Sequence, residues 1–224
     1  MDNFPLDIRT LSIIFIIFSL IFSIGFLLFQ SAQKQVLGLS LFSSSMFVIG
    51  SGTILLSLRG SISDFMSIIV GNLTIAYGFH LVLHSLTVFR RHSRQIVQYS
   101  RIALFLVLVS FVQFTYYEQS IQNRIIVMSL YLAFVTASSA IVILNGKRND
   151  LSLAVNMMAL PFIIYSFFMT FRAIKTHFSL NEMNSLISAN YLNEYTYILS
   201  IILIVSMSFS MLWLINARLV HSLQ

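Results

Sequence analysis

Apolar residues run along this chain in long unbroken stretches, and polar residues collect in the short gaps between them. A helix needs about 20 mostly apolar residues to cross the roughly 30 Å hydrocarbon core of a bilayer. Seven stretches have that character: residues 11–29, 37–58, 65–89, 102–117, 125–144, 151–171 and 195–215. The fourth is short. Starting it at Ile96 brings it to length and takes in Arg101, whose long side chain can carry its charge to the interface from near a helix end. Membrane β-strands would alternate apolar and polar residues over about ten positions, unlike these continuous runs. A helix also satisfies its backbone hydrogen bonds within itself, as lipid requires. The predicted fold class is all-α integral membrane, a seven-transmembrane helix bundle.

Composition sharpens this. Hydrophobic residues make up 58% of the 224 and charged residues 9%, against roughly 25% charged in a soluble domain. Lipid must replace water over most of the surface, so the bilayer is the first expected partner. The net charge of +6 does not point to nucleic acid, because the basic residues fill gaps between apolar runs instead of forming one face of a soluble fold. The absence of cysteine removes disulfides, thiolate metal sites and cysteine nucleophiles. Asp2 and Asp7 against a single Arg9 make a poor signal-peptide start, and the apolar run that follows is too long for one.

Basic residues in the gaps set the expected orientation. Lys34, Arg90, Arg91, Arg94, Arg101, Lys147, Arg148 and Arg218 fall on one side; Arg9, Arg59, Arg124, Arg172 and Lys175 fall on the other. Positive loops stay in the cytoplasm, which predicts the N-terminus outside and the C-terminus cytoplasmic. The longest gap, 172–194, carries Ser179 and Glu182 at capping-box spacing, followed by Leu180, Met183, Leu186 and Ile187 at helical spacing. A short amphipathic surface helix is expected over 179–189. Small residues predict close helix contacts: Ser40, Ser44, Gly50, Ser51 and Gly52 in the second span, Gly71 and Gly78 in the third, Ala133, Ala137, Ser138 and Ala140 in the fifth.

Catalytic signatures are missing. No phosphate-cradling glycine loop, His-Glu-x-x-His motif or Gly-x-Ser-x-Gly elbow occurs, so no enzyme activity, catalytic residue or cofactor is expected. The last span has no lysine for a retinal Schiff base, ionisable residues are nearly absent from span interiors, and Pro161 is the single proline inside a span. His80 and His84 lie four apart on one helix face and could ligate haem or a metal, or simply bond to neighbouring helices. The outer ends of spans three to six are richer in polar groups. Asn72 sits inside the third span and needs a hydrogen-bond partner in the bundle. With Tyr116, Tyr117, Arg124 and Arg172 it is expected to line one cavity beneath the 179–189 helix, suited to a small anionic or aromatic signal.

Short motifs extend this picture. Phe114-Thr115-Tyr116-Tyr117-Glu118, then Arg124-Ile125 and Ser129, resemble the seven-helix N-terminal membrane sensor region of bacterial diguanylate cyclases, whose output is a GGDEF domain. Asp7-Ile8-Arg9-Thr10, Leu58-Arg59-Gly60, Gly71-Asn72 and Asn216-x-Arg218-Leu219 are similar too. The family's proline after the tyrosines is replaced here by Gln119 and Ser120, and the sequence ends at Gln224 without a GGDEF motif. The resemblance implies a membrane sensor domain over 1–215 and the start of a cytoplasmic output or linker helix over 216–224. The output would be supplied by a longer protein or by a partner.

The expected function is therefore a bacterial inner-membrane signalling module. It would bind a small signal in the bundle or at its outer mouth and pass it to a cytoplasmic signalling domain in cis or in trans. A homodimer is compatible with this reading. The rival classes are a small transporter or channel, and a haem- or metal-binding protein built on His80 and His84.

Overall fold

The computed structural model describes residues 7–32, 36–146, 152–178 and 186–223. Its seven helices are α1 (Ile8–Ala32), α2 (Leu39–Ser57), α3 (Phe65–Phe89), α4 (Gln95–Tyr117), α5 (Ile121–Leu144), α6 (Ser152–Phe178) and α7 (Leu186–Leu223). All seven are long and apolar enough to cross a membrane, and no strand is present among the described residues beyond an isolated bridge between Arg59 and Ile62.

Helix starts follow local chemistry. Asp7 accepts from the Arg9 amide at 3.1 Å and so caps α1 three residues before the apolar run begins. Ser120 does the same for α5, accepting from the Asn123 amide at 3.2 Å, which starts that helix at Ile121 and not at Ile125. The fourth helix begins at Gln95, so Arg101 lies inside it. The last helix starts at Leu186, so the expected separate helix over 179–189 merges with α7 at its end; 179–185 lie outside the described residues, as do Lys34, Lys147 and Arg148.

Short connections make successive helices antiparallel neighbours. Six of them close a ring in the order α1, α2, α3, α5, α6, α7, with α7 returning to α1; α4 lies outside, against α3 and α5. Small residues set the closest approaches. A Cβ on Gly52 would stand 2.8 Å from the Ile75 nitrogen and 2.9 Å from the Gly71 carbonyl oxygen, so only glycine lets α2 meet α3 there. Ser40 and Ser44 are exposed and take no part. Their neighbours one residue away do: Ser43 and Ser23 each donate a hydroxyl to the other's carbonyl, at 2.7 and 3.1 Å, joining α2 to α1. Pro161 lacks the amide that would bond Met157 O, and the Ser210 hydroxyl of α7 reaches that carbonyl at 3.5 Å.

The two halves of the ring are filled differently. Towards the Gln95 end of α4, Phe42, Met46, Leu86, Val142, Met158 and Met211 are fully buried and close the interior. Flexible methionines suit the irregular centre of a six-helix ring. Towards the Tyr117 end the interior stays open, and there the polar groups gather.

Candidate functional site

The open half contains a cleft of two chambers. The larger, about 290 Å³, receives residues from all six ring helices: Ile8 and Phe15 of α1, Thr53 of α2, Phe79 of α3, Leu132 of α5, Tyr165 of α6 and Tyr197 of α7 among them. The smaller, about 220 Å³, extends towards α4 and adds Ile68, Phe111, Ile121 and Arg124. Leu56, Arg59, Asn72, Met128, Arg172 and Asn193 line both, and so form the wall between them. Among the described residues no carboxylate lines either chamber.

Arg172 dominates the electrostatics. It is 9% exposed and projects from α6 into the ring. Its Nη1 donates to Ser129 Oγ at 3.2 Å, and its Nη2 donates to Asn193 Oδ1 at 2.9 Å. Its Nε is buried and has no hydrogen-bond partner among the described residues. A buried guanidinium without a carboxylate is costly, since the charge has left water without gaining a counter-charge. Arg124 is half-buried and reaches Thr115 Oγ1 at 3.4 Å, and Arg59 stands more exposed at the mouth. Three guanidinium groups thus converge on the cleft; among the described residues Asp64 acts on Arg124 from beyond the lining, and no carboxylate stands at Arg172.

The tyrosines are arranged around this charge. Tyr165 stacks on Phe79, with ring centroids 6.1 Å apart, and its hydroxyl meets Ser200 Oγ at 2.8 Å. Tyr197 packs edge-on against Phe15 at 6.4 Å. Local backbone shapes the rim as well. Phe65–Val70 and Gln113–Tyr117 are π-helical turns, one opening α3 and the other closing α4. Such wide turns often occur at functional positions. Asn72 follows the first of them, and its amide donates back to Ile68 O at 2.6 Å.

Of the five residues expected to share a cavity, Asn72, Arg124 and Arg172 line the cleft. Tyr116 and Tyr117 do not. They are 53% and 76% exposed on the outside of α4. Both lie in the π-helical turn that closes α4, on the helix that stands outside the ring of six. Asn72 also finds the acceptor for its side-chain amide on its own helix and not across the bundle. Arg59, Asn193, Tyr165 and Tyr197 were not singled out from sequence. A count of cations against acids near the helix ends could have drawn attention to Arg59, but no spacing rule marks Asn193 or the two tyrosines.

The histidines sit apart from the cleft. His80 is buried, with Nδ1 2.9 Å from Ser100 Oγ on α4, and its ring lies 6.4 Å from that of His84. Among the described residues no group of three or more His, Cys, Asp or Glu gathers to hold a metal. Compared with protein-family models, curated proteins and solved structures, the chain matches none.

Proposed function

We propose that this chain is a multi-pass membrane signalling module of the bacterial inner membrane, with its N-terminus outside and its C-terminus cytoplasmic. A small anionic signal would bind in the ring cleft and change the position of α7. The observation that carries this reading is Arg172, a buried cation without a counter-charge among the described residues, which holds α7 through its bond to Asn193. An anion at Arg172 competes for the guanidinium and loosens that bond. The ligand then favours one of two helix arrangements over the other, which is what signalling requires.

Two further observations support it. Of the residues that carry the resemblance to the sensor region of diguanylate cyclases, Arg59, Asn72, Thr115, Arg124 and Ser129 lie on the cleft or bond to a residue that does, whereas Tyr116 and Tyr117 do not. The last helix runs unbroken from Asn193 to Leu223, about 45 Å at 1.5 Å per residue, so a displacement at the cleft can reach its far end. Orientation rests on the basic gaps. Eight basic residues fall on one side against five on the other.

One experiment tests both parts. A GGDEF domain fused after Leu219 is expected to make cyclic di-GMP at a rate that varies across one- to four-residue insertions, because each residue rotates a helix by about 100°. Cysteines replacing Ser61 and Ser93 in the same protein are expected to label from outside and inside, respectively. Flat cyclase activity would reduce the chain to an anchor, and reversed labelling would invert the topology.

A further inference from the structure

The cleft is divided by chemistry as well as by shape, and resting on the signalling reading above, we infer that its ligand is an amphipathic monoanion. Such a ligand has an anionic head of the carboxylate class and an apolar body about the size of a phenyl group.

The head position is set by the shared wall. Arg172 is held by Ser129 and Asn193, which fixes the guanidinium plane and leaves Nε, with a second hydrogen on each Nη, uncommitted among the described residues. Asn72 and Arg59 stand on the same wall. The charge follows from burial. Arg172 is the deeply buried cation, whereas Arg124 and Arg59 are progressively more exposed. One negative charge neutralises Arg172 and leaves the ring interior uncharged overall. A dianion such as phosphate would bring a second charge into an apolar ring with no buried cation to meet it.

The body position is the larger chamber. Beyond the shared wall its surface is mainly Phe15, Ile75, Phe79, Leu132, Tyr165 and Tyr197. Its volume of about 290 Å³ equals roughly ten water-sized groups at about 30 Å³ each. That suits an aryl or short branched carboxylate, and flat aromatic walls favour a ring. Anion recognition alone would need no such chamber, and an apolar ligand alone would leave Arg172 Nε buried and unpaired.

Two sources supply this chemistry: soluble carboxylates and fatty acids of the bilayer. The full chain in nanodiscs of zwitterionic lipid, titrated calorimetrically, separates them. The probes are phenylacetate, its neutral counterpart 2-phenylethanol, inorganic phosphate, and palmitate. Phenylacetate is expected to bind at least about tenfold more tightly than 2-phenylethanol or phosphate, since a charged hydrogen bond and apolar burial each contribute a factor of that order. Arg172→Gln should weaken phenylacetate about tenfold or more, and Arg59→Gln, at an exposed position, about two- to threefold. Thr196→Phe adds a ring to the body chamber. Among the described residues the Thr196 hydroxyl bonds Leu192 O of its own helix, so this variant tests the chamber even where Arg172→Gln does not fold. It should exclude phenylacetate. Palmitate binding more tightly than phenylacetate keeps the amphipathic monoanion and assigns its source to the bilayer, but overturns the phenyl-sized body. Phosphate binding as tightly as phenylacetate, unaffected by Thr196→Phe, overturns the amphipathic class and leaves an anion sensor. Binding of none of the four probes, with a fused cyclase still dependent on helix phase, overturns the ligand class alone. Tight phenylacetate binding with a phase-independent cyclase overturns the signalling reading instead.

Discussion

Among the described residues each end of the bundle buries one arginine, and the two are treated in opposite ways. Arg90, at the end of α3, is 3% exposed; its Nε donates to Ile143 O at 3.0 Å, and its side chain packs over Gly146. The α5 terminus needs a donor for its last carbonyls, and Arg90 supplies it. Arg172 is almost as buried, yet its Nε bonds to nothing described and its other donors reach only neutral oxygens across an open cleft. The same side chain thus closes one end of the ring and leaves an unsatisfied donor at the other. Buried unsatisfied polar groups are uncommon enough in folded proteins to call for an explanation, and a ligand is one.

The largest test of this contrast is stability. Arg90→Ala strands a buried carbonyl and is expected to lower the free energy of unfolding in mixed micelles by about 2–3 kcal/mol. Arg172→Ala removes an uncompensated charge along with its bonds, and is expected to change stability by less than about 1 kcal/mol in either direction. Equal losses would make Arg172 an ordinary structural residue.

A smaller effect sharpens the same comparison through two glycines with positive φ. Gly38, at the filled end, has φ 89°, and a Cβ there would lie 2.7 Å from Ser85 O. Gly60, at the cleft end, has the same φ with nothing within 4 Å. Both Gly→Ala changes carry the left-handed penalty of about 1–2 kcal/mol. Gly38→Ala adds the clash, so its melting temperature should fall further than that of Gly60→Ala. A reversed order would mean that the cleft end is packed as tightly as the other.

The smallest expected effect belongs to the histidines. Glutamine at position 80 can still bond Ser100 Oγ, so the double change His80→Gln, His84→Gln should shift stability by no more than about 1 kcal/mol. Metal analysis of the purified protein checks the alternative. Stoichiometric iron, zinc or haem that disappears in the double variant would move the functional centre away from the cleft.

The sequence by itself determined the seven helices, because a continuous apolar run of bilayer length has one economical backbone solution and local caps such as Asp7 and Ser120 trim its ends. It also marked Asn72, Arg124 and Arg172 as polar groups out of place. What it could not decide is which groups meet. Tyr116 and Tyr117 share a stretch of sequence with the rim but not its face, since facing depends on where α4 packs. Its place outside the ring follows from six other helices closing without it. Asn193 and Arg59 join the cleft across long sequence separations, and Tyr165 and Tyr197 look like any aromatic in an apolar run until the ring places them. Apolar periodicity is local and survives in one dimension. A cavity is the space left over when distant surfaces fail to meet, so only the tertiary structure could decide it.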